Sequence, residues 1–168
     1  KWFLENVKHN EYLFGTIDSW LIYKLTKGKS FKTDTTNASR TQLYDLEKGE
    51  WSKELCELFG INMKSLPEIC DCDSNFGFTD FEGYLGEEIP VCGVMGDSHA
   101  ALFGQGCHNK GQVKVTLGTG SSIMMNIGDK LKLSKNGLTT SVAYYRKSKK
   151  NFAFEGNINY AGAVITWL

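Results

Sequence analysis

The residue best placed to do chemistry in this sequence is Asp97. The apolar stretch at residues 91–95 predicts a short buried strand, and Gly96 permits a sharp turn after it. Ser98 is predicted to cap a helix that starts at Ala100. Asp97 would then stand at the carboxyl end of a strand and the amino end of a helix, which is where ligands collect in α/β sheets.

A second pattern that could bind a ligand is the tripeptide Gly118-Thr119-Gly120. It lies between two runs that alternate apolar and polar residues, 112–117 and 121–127. This arrangement predicts a β-hairpin. A tight glycine turn lets main-chain amides approach an anion such as phosphate, and the Thr119 hydroxyl adds a donor. On the tripeptide alone, an ordinary hairpin turn is the favoured alternative, and no Gly-Lys-Ser/Thr follows to make a Walker loop.

The combination of these features is more informative than either one. Asp97 is followed about twenty residues later by the glycine turn, and then by Gly156 and Gly162 before another predicted helix. Phosphoryl transfer needs little from a protein beyond a carboxylate and well-placed amides, so the set favours that reaction. A Ser-His-Asp hydrolase is disfavoured because no serine lies in an elbow motif, which leaves His99 as pocket lining or as packing.

Composition excludes several classes of partner. The 19 lysines and arginines balance the 19 aspartates and glutamates, so no basic field favours nucleic acid. No apolar window is long enough to span a membrane, and the five cysteines form neither a disulfide pattern nor a zinc motif. The basic run at 146–150 is interpreted as a solvated hairpin tip. We expect a cytoplasmic protein without nucleic-acid or membrane partners.

The order of predicted elements indicates an α/β protein in two parts. A helix is predicted from Ile17 to Leu25, another follows Ser52 and ends at Gly60, and a hairpin is predicted across the basic run. The polar, glycine-rich stretch at 71–88 predicts a boundary that divides the chain into residues 1–88 and 89–168. Because the first residue is not methionine and the last lie in a predicted helix, we expect a piece of a longer protein.

Six sequence blocks carry a resemblance to a known family. They are Leu13-Phe-Gly-Thr-Ile-Asp-Ser-Trp-Leu-Ile22, Thr33-Asp-Thr-Thr-Asn-Ala-Ser-Arg-Thr41, Gly96-Asp97 with Ala100-Ala-Leu-Phe-Gly-Gln105, Gly118-Thr-Gly120, Glu155-Gly156, and Ala161-Gly162-Ala163 with Trp167-Leu168. In order and spacing they resemble the FGGY family of carbohydrate kinases, and within it the glycerol kinases most closely. The resemblance covers essentially all of the chain.

The resemblance implies an actin-like, ribonuclease H-like fold, in which two α/β domains close over ATP and a polyol or sugar. This chain would carry the later part of the first domain and the start of the second. Asp97 resembles the general base that takes the substrate proton, close to Mg²⁺ and in contact with it through water. The turn at 118–120 resembles a nucleotide phosphate contact, and Gly162 and Thr166 correspond to further nucleotide contacts.

The chain departs from glycerol kinases in the region that resembles their substrate pocket. Ser98 and His99 follow Asp97 where those enzymes usually have two glutamines, and Ser122 stands where they usually have phenylalanine. The resemblance therefore implies that Asp97, Ser98, His99 and Ser122 contact the substrate. Smaller side chains would leave more room and more polar surface, so we expect a polyol or ketose larger than glycerol.

A further departure concerns regulation. Bacterial glycerol kinases that are inhibited by fructose bisphosphate have an arginine just before the Ile-Pro dipeptide, where this chain has Glu88, preceded by Glu87. Two carboxylates would repel a bisphosphate, so no such inhibition is expected.

Three alternatives to a glycerol kinase-like enzyme stay open at the level of sequence. One is a ketose kinase of the xylulokinase type in the same family, and another is an actin-like ATPase that splits ATP with water. The third is a binding domain without catalysis. For a kinase, the expected binding partner is a small polyol or sugar. Whether the full-length protein forms a homodimer is left open by the sequence. The 168 residues alone are expected to be inactive, because other nucleotide and substrate loops of the family would lie outside them.

Overall fold

The computed structural model describes residues 2–7 and 12–168. The chain divides into two compact units, Lys1–Val94 and Met95–Leu168, each of which mixes helices with strands. The predicted α/β class is therefore confirmed, whereas the predicted domain division after residue 88 stays a prediction. Among the described residues, no helix has the length and apolar character needed to cross a membrane.

The first unit consists of short elements joined by long loops. Its helices and strands are α1 (Trp2–Asn6), α2 (Ile17–Leu25), β1 (Lys32–Asp34), α3 (Thr35–Ala38), β2 (Tyr44–Asp45), β3 (Glu50–Trp51), α4 (Lys53–Phe59), a 3₁₀ turn (Met63–Ser65), β4 (Glu68–Cys70), β5 (Phe78–Thr79) and β6 (Ile89–Pro90). Strands β1 and β4 pair in parallel, whereas β2 with β3 and β5 with β6 pair antiparallel.

Local capping explains where two helices of this unit begin and end. Helix α4 starts after Ser52, whose hydroxyl accepts a hydrogen bond from the Leu55 amide, and it ends at Gly60 in the left-handed conformation. Both features were predicted from the sequence. Helix α3 was predicted only as a structured loop; it forms because the buried carboxylate of Asp34 accepts hydrogen bonds from the amides of Thr36 and Asn37.

The strand predicted at residues 91–95 is absent from this described part of the chain, so that prediction was wrong. Only Ile89–Pro90 forms a strand, and the following residues run without regular secondary structure. Val91 exchanges backbone hydrogen bonds with Phe76 and Gly77, and Val94 donates one to Cys72. These isolated bonds satisfy the backbone without the continuous ladder that defines a strand.

The second unit is built on one antiparallel sheet with helices at its chain ends. Its elements are α5 (Asp97–Gly104), β7 (Val113–Leu117), β8 (Ser121–Gly128), β9 (Thr139–Arg146), β10 (Lys149–Ile158) and α6 (Gly162–Trp167). The strands lie in the order β7-β8-β10-β9. Both predicted hairpins, β7 with β8 and β9 with β10, are confirmed.

The core of the second unit lies between α5 and the sheet. Leu102 of α5 is fully buried, as are Met124 of β8 and Ala153 of β10, whereas Val142 of β9 pairs with Phe152 and is buried on the other face of the sheet. Burying a leucine or methionine side chain contributes roughly 1.5–3 kcal/mol, so this contact fixes α5 on the sheet. The residues at the start of α5 are thereby held in place.

Candidate active site

Asp97 is the first residue of α5, and its side chain is exposed. One carboxylate oxygen accepts a hydrogen bond from the Ser98 amide at 2.6 Å. The prediction that Ser98 caps the helix was wrong: Gly96 is the N-cap residue, and the helix begins at Asp97, three residues before the predicted start at Ala100. This shift places the carboxylate in the first helical turn, where the helix dipole favours negative charge.

His99 belongs to the packing between α5 and the sheet. Its side chain is buried, and its Nε2 atom lies 3.3 Å from the hydroxyl oxygen of Ser141 on β9. Ser98, by contrast, is half-buried at the start of the helix. Of the two interpretations that the sequence left open for His99, this position favours packing, and a direct substrate contact stays a prediction.

The turn at residues 118–120 closes tightly between β7 and β8. The Gly118 amide donates to the Gly120 carbonyl at 2.8 Å, which leaves Thr119 exposed at the tip. Within the described residues, the N–H groups of Thr119 and Gly120 donate to no protein acceptor. A turn with two amides that have no such acceptor and a neighbouring hydroxyl has the donors that a phosphate group requires.

The amino end of α6 packs directly on this turn. The amides of Ala161 and Ala163 donate to the Thr119 carbonyl at 2.8 and 3.2 Å, and the Gly162 amide donates to the Gly118 carbonyl at 2.9 Å. A side chain at residue 162 would place its Cβ atom only 2.6 Å from that Gly118 carbonyl oxygen. Glycine is therefore required here for close backbone approach.

Gly120 is required for the same reason on the other side of the turn. A Cβ atom at this position would lie 2.7 Å from the Ile158 carbonyl oxygen and 3.2 Å from that of Asn159. Both obstacles are backbone atoms, which cannot move aside as a flexible side chain can. The two glycines thus hold the turn against β10 and α6, and Thr166 lies exposed further along α6.

Ser122 lies on a polar patch of the same sheet. Its hydroxyl donates to Oε1 of Glu155 at 3.2 Å, across the β8–β10 pair. Lys114 of β7 pairs with Met124 of β8. Its side chain is buried and donates to the Thr116 hydroxyl at 2.8 Å. Because directly paired residues share a face, Lys114, Thr116, Ser122 and Glu155 all project from one side of the sheet.

This polar face is the one that α5 covers. Ser141, the contact of His99, pairs with Ala153, which lies two residues from Glu155 and hence on the same side of β10. Lys114 and Glu155 were not predicted as site residues. The alternation in Val113-Lys-Val-Thr-Leu117 was a signal that Lys114 and Thr116 share a face, but only the strand pairing shows that Glu155 joins them.

The described residues contain no cluster of three or more histidine, cysteine, aspartate or glutamate side chains that could hold a metal ion. A magnesium ion in phosphoryl transfer does not need such a cluster, because one or two carboxylates together with nucleotide phosphates and water complete its octahedral shell. The exposed Asp97 carboxylate, with one oxygen engaged by Ser98, fits that limited role.

The first part of the sequence matches a pattern found in known proteins. The sequence model of the "FGGY family of carbohydrate kinases, N-terminal domain" matches residues 1–104, which is more than half of the chain. The chain belongs to the FGGY family of carbohydrate kinases. The resemblance recognised in the sequence is thereby confirmed.

Curated relatives with similar sequences include glycerol kinase 1 of Thermotoga maritima, at 49% identity, and the glycerol kinase of Roseobacter denitrificans, at 46% identity. Each alignment covers all of this chain but only 35% of the relative. The chain therefore spans about a third of the length of the curated relatives that it matches.

Solved structures agree with this FGGY assignment. The glycerol kinase of Plasmodium falciparum with ADP superposes with a TM-score of 0.87 at 40% identity, covering 93% of this chain and 31% of that protein. A ligand-bound xylulose kinase from Lactobacillus acidophilus gives a TM-score of 0.78 at 22% identity, covering 90% and 30% respectively. The second similarity establishes the fold, which is the actin-like fold predicted from the sequence.

Proposed function

We propose that the full-length protein is an ATP-dependent kinase that phosphorylates a hydroxyl group of a small polyol or sugar. The observation that carries this proposal is an exposed carboxylate, Asp97, at the first turn of a helix packed on the sheet whose hairpin holds the Thr119 and Gly120 amides, which donate to no acceptor among the described residues. Membership of a carbohydrate kinase family and relatives named glycerol kinase support it.

Asp97 acts in this proposal as the general base. Its Oδ1 atom is engaged by the Ser98 amide, which fixes the orientation of the carboxylate and leaves Oδ2 to accept the proton of the attacking substrate hydroxyl. A base in this position contributes roughly a hundred- to ten-thousandfold to the rate. Asp97 would also hold Mg²⁺ through a water molecule, and the ion supplies charge neutralisation when it is bound with ATP.

The turn at 118–120 binds phosphate groups of the nucleotide through the amides of Thr119 and Gly120 and the Thr119 hydroxyl. Preorganised amides of this kind stabilise charge without reorganising during the reaction. Gly162 contributes by allowing α6 to pack against the turn, and Thr166 lies on the exposed side of the same helix as a further nucleotide contact.

The substrate proposed is a polyol or ketose larger than glycerol. Support comes from Ser122, whose hydroxyl and Glu155 partner form a small hydrogen-bonded pair where a phenylalanine would present only an apolar surface. A site built to bond a hydroxyl group discriminates strongly against analogues that lack it. A ketose kinase of the xylulokinase type is the alternative within the family, because its substrate would satisfy the same polar pair.

The substrate proposal is tested with the full-length protein and a panel of glycerol, erythritol and xylulose. We expect kcat/KM to be highest for erythritol or xylulose. The Ser122→Phe variant is expected to shift the ratio of kcat/KM values toward glycerol by about tenfold or more, because it removes a hydroxyl and fills space. Lys135→Phe, which adds the same ring at an exposed position outside the sheet strands, serves as the control. Highest efficiency on glycerol by a wide margin in the wild type would contradict the proposal.

A further inference from the structure

A groove lined by cations and aromatic rings lies at the β9–β10 hairpin, apart from the residues assigned above. It has a volume of about 310 Å³. Of the described residues that line it, three are cations and none is a carboxylate. The lining residues are Phe103, His108, Tyr144, Arg146, Lys147, Lys149 and Asn151.

The strand register explains why the cations converge. Arg146 pairs directly with Lys149, so both project from the same side of the hairpin. Lys147 and Ser148 form the tight turn between them, with φ values of 49° and 58°. The sequence prediction of a solvated hairpin tip is confirmed by the exposure of these residues. Like charges directly opposite each other repel, so this arrangement favours an anion between them.

Lys150 has a different orientation on the same hairpin. It pairs with Tyr145, and this pair projects from the opposite side to the Arg146–Lys149 pair. Its ammonium lies 5.7 Å from the ring centres of both Tyr145 and Phe152. Lys150 therefore carries the same charge as its neighbours but does not line the groove, which makes it a matched control.

Aromatic contacts fix the wall of the groove. The Tyr144 hydroxyl donates to the His108 carbonyl at 3.1 Å, and the Phe103 and His108 rings lie 4.6 Å apart. The guanidinium of Arg146 stands 5.6 Å from the Phe103 ring centre. These contacts tie the end of α5 to β9 and hold the guanidinium at the groove rather than in bulk solvent.

We propose that this groove binds a small, multiply charged phosphate compound. A guanidinium offers a planar fork of donors that matches phosphate oxygens, and lysine ammonium groups add charge-assisted hydrogen bonds. The concave shape and volume suit a small molecule, and the positive lining with no carboxylate suits more than one negative charge. The inference does not depend on the kinase proposal, because none of these residues belongs to the candidate active site.

The test is calorimetric titration of the full-length protein with inorganic pyrophosphate, in the presence of EDTA so that no metal-dependent binding contributes. The Arg146→Gln/Lys149→Gln variant is expected to weaken pyrophosphate binding by at least about tenfold, because two charge-assisted contacts are lost. Lys150→Gln is expected to bind as the wild type does. Circular dichroism reports whether each variant is folded, and kinase turnover measured in parallel leaves the proposed function separately testable.

The phosphate group that binds in the groove belongs either to a free solute or to a lipid headgroup. A second experiment, vesicle co-sedimentation, distinguishes these two sources. Co-sedimentation with vesicles of phosphatidylcholine and phosphatidic acid is expected to retain neither the wild type nor the double variant. Equal loss of pyrophosphate binding in the double variant and in Lys150→Gln would overturn the proposal, since it would reflect net charge alone. So would the absence of pyrophosphate binding at millimolar concentration, or retention on vesicles that depends on Arg146 and Lys149.

Discussion

The Asp97→Asn variant of the full-length protein is expected to lose turnover by roughly a hundred- to ten-thousandfold while binding ATP as well as the wild type does. Asparagine keeps the size of the side chain and can still accept the Ser98 hydrogen bond, but it cannot take a proton from a hydroxyl group. The chemical step should therefore fail without disturbance of α5. Steady-state kinetics and a nucleotide-binding titration measure the two effects separately.

Asp129→Asn is the control for this substitution. Asp129 is an exposed aspartate that follows β8 in the same unit, so the change removes the same charge at a position with no assigned role. We expect near wild-type turnover from it. An Asp97→Asn protein that also kept near wild-type turnover would show that Asp97 is not the base.

The second large effect is expected at the glycine turn. In Gly120→Ala, the added methyl group would meet the carbonyl oxygens of Ile158 and Asn159 at 2.7 and 3.2 Å, so the turn must move away from β10. Overpacking of this kind costs about 1–3 kcal/mol. Because the displaced turn no longer presents its amides in the same place, the Kd for ATP should rise by about tenfold or more.

Gly104→Ala provides the matched control. Gly104 is the last residue of α5, its φ angle lies outside the left-handed region, and no atom lies within 4 Å of where its Cβ would stand. The same chemical change is therefore expected to leave ATP binding intact. Circular dichroism verifies that both variants are folded. Tight ATP binding by folded Gly120→Ala would rule out the turn as the phosphate contact.

Features with local signals in the sequence were predicted well. The two hairpins follow from alternating strands around short turns, and helix α4 follows from Ser52 as its cap and Gly60 as its terminator. Each depends on residues only a few positions apart, so their side-chain types carry enough information. The position of Asp97 at the amino end of a helix has the same local origin, although the N-cap residue is Gly96 and not the predicted Ser98.

Features that depend on distant pairing were missed. The strand expected at 91–95 needs a continuous ladder, but its bonds go singly to Cys72, Phe76 and Gly77. The Ser122–Glu155 pair joins residues 33 positions apart and becomes visible only when β8 and β10 are aligned. The local sequence pattern also does not show that the His99 side chain packs against Ser141 instead of facing solvent. Register across strands decides these contacts, and a single sequence does not encode it locally.

The family resemblance rests on a different kind of information. Blocks such as Gly118-Thr-Gly120 and Ala161-Gly162-Ala163 are individually common, and their meaning comes from their shared order along the chain. The structure gives this order a physical basis, because the carbonyls of Gly118 and Thr119 accept hydrogen bonds from the amides of Ala161, Gly162 and Ala163. Two blocks more than forty residues apart therefore form one backbone contact.

The central claim is that the full-length protein transfers phosphate from ATP to a hydroxyl compound, and the most direct measurement follows the phosphate itself. ATP labelled in its γ-phosphate is incubated with the protein and each of glycerol, erythritol and xylulose, and the labelled products are separated by chromatography. We predict a labelled polyol or sugar phosphate, with little labelled inorganic phosphate when no acceptor is present. Release of inorganic phosphate at the same rate with and without an acceptor, with no labelled acceptor, would contradict the kinase proposal and favour an actin-like ATPase.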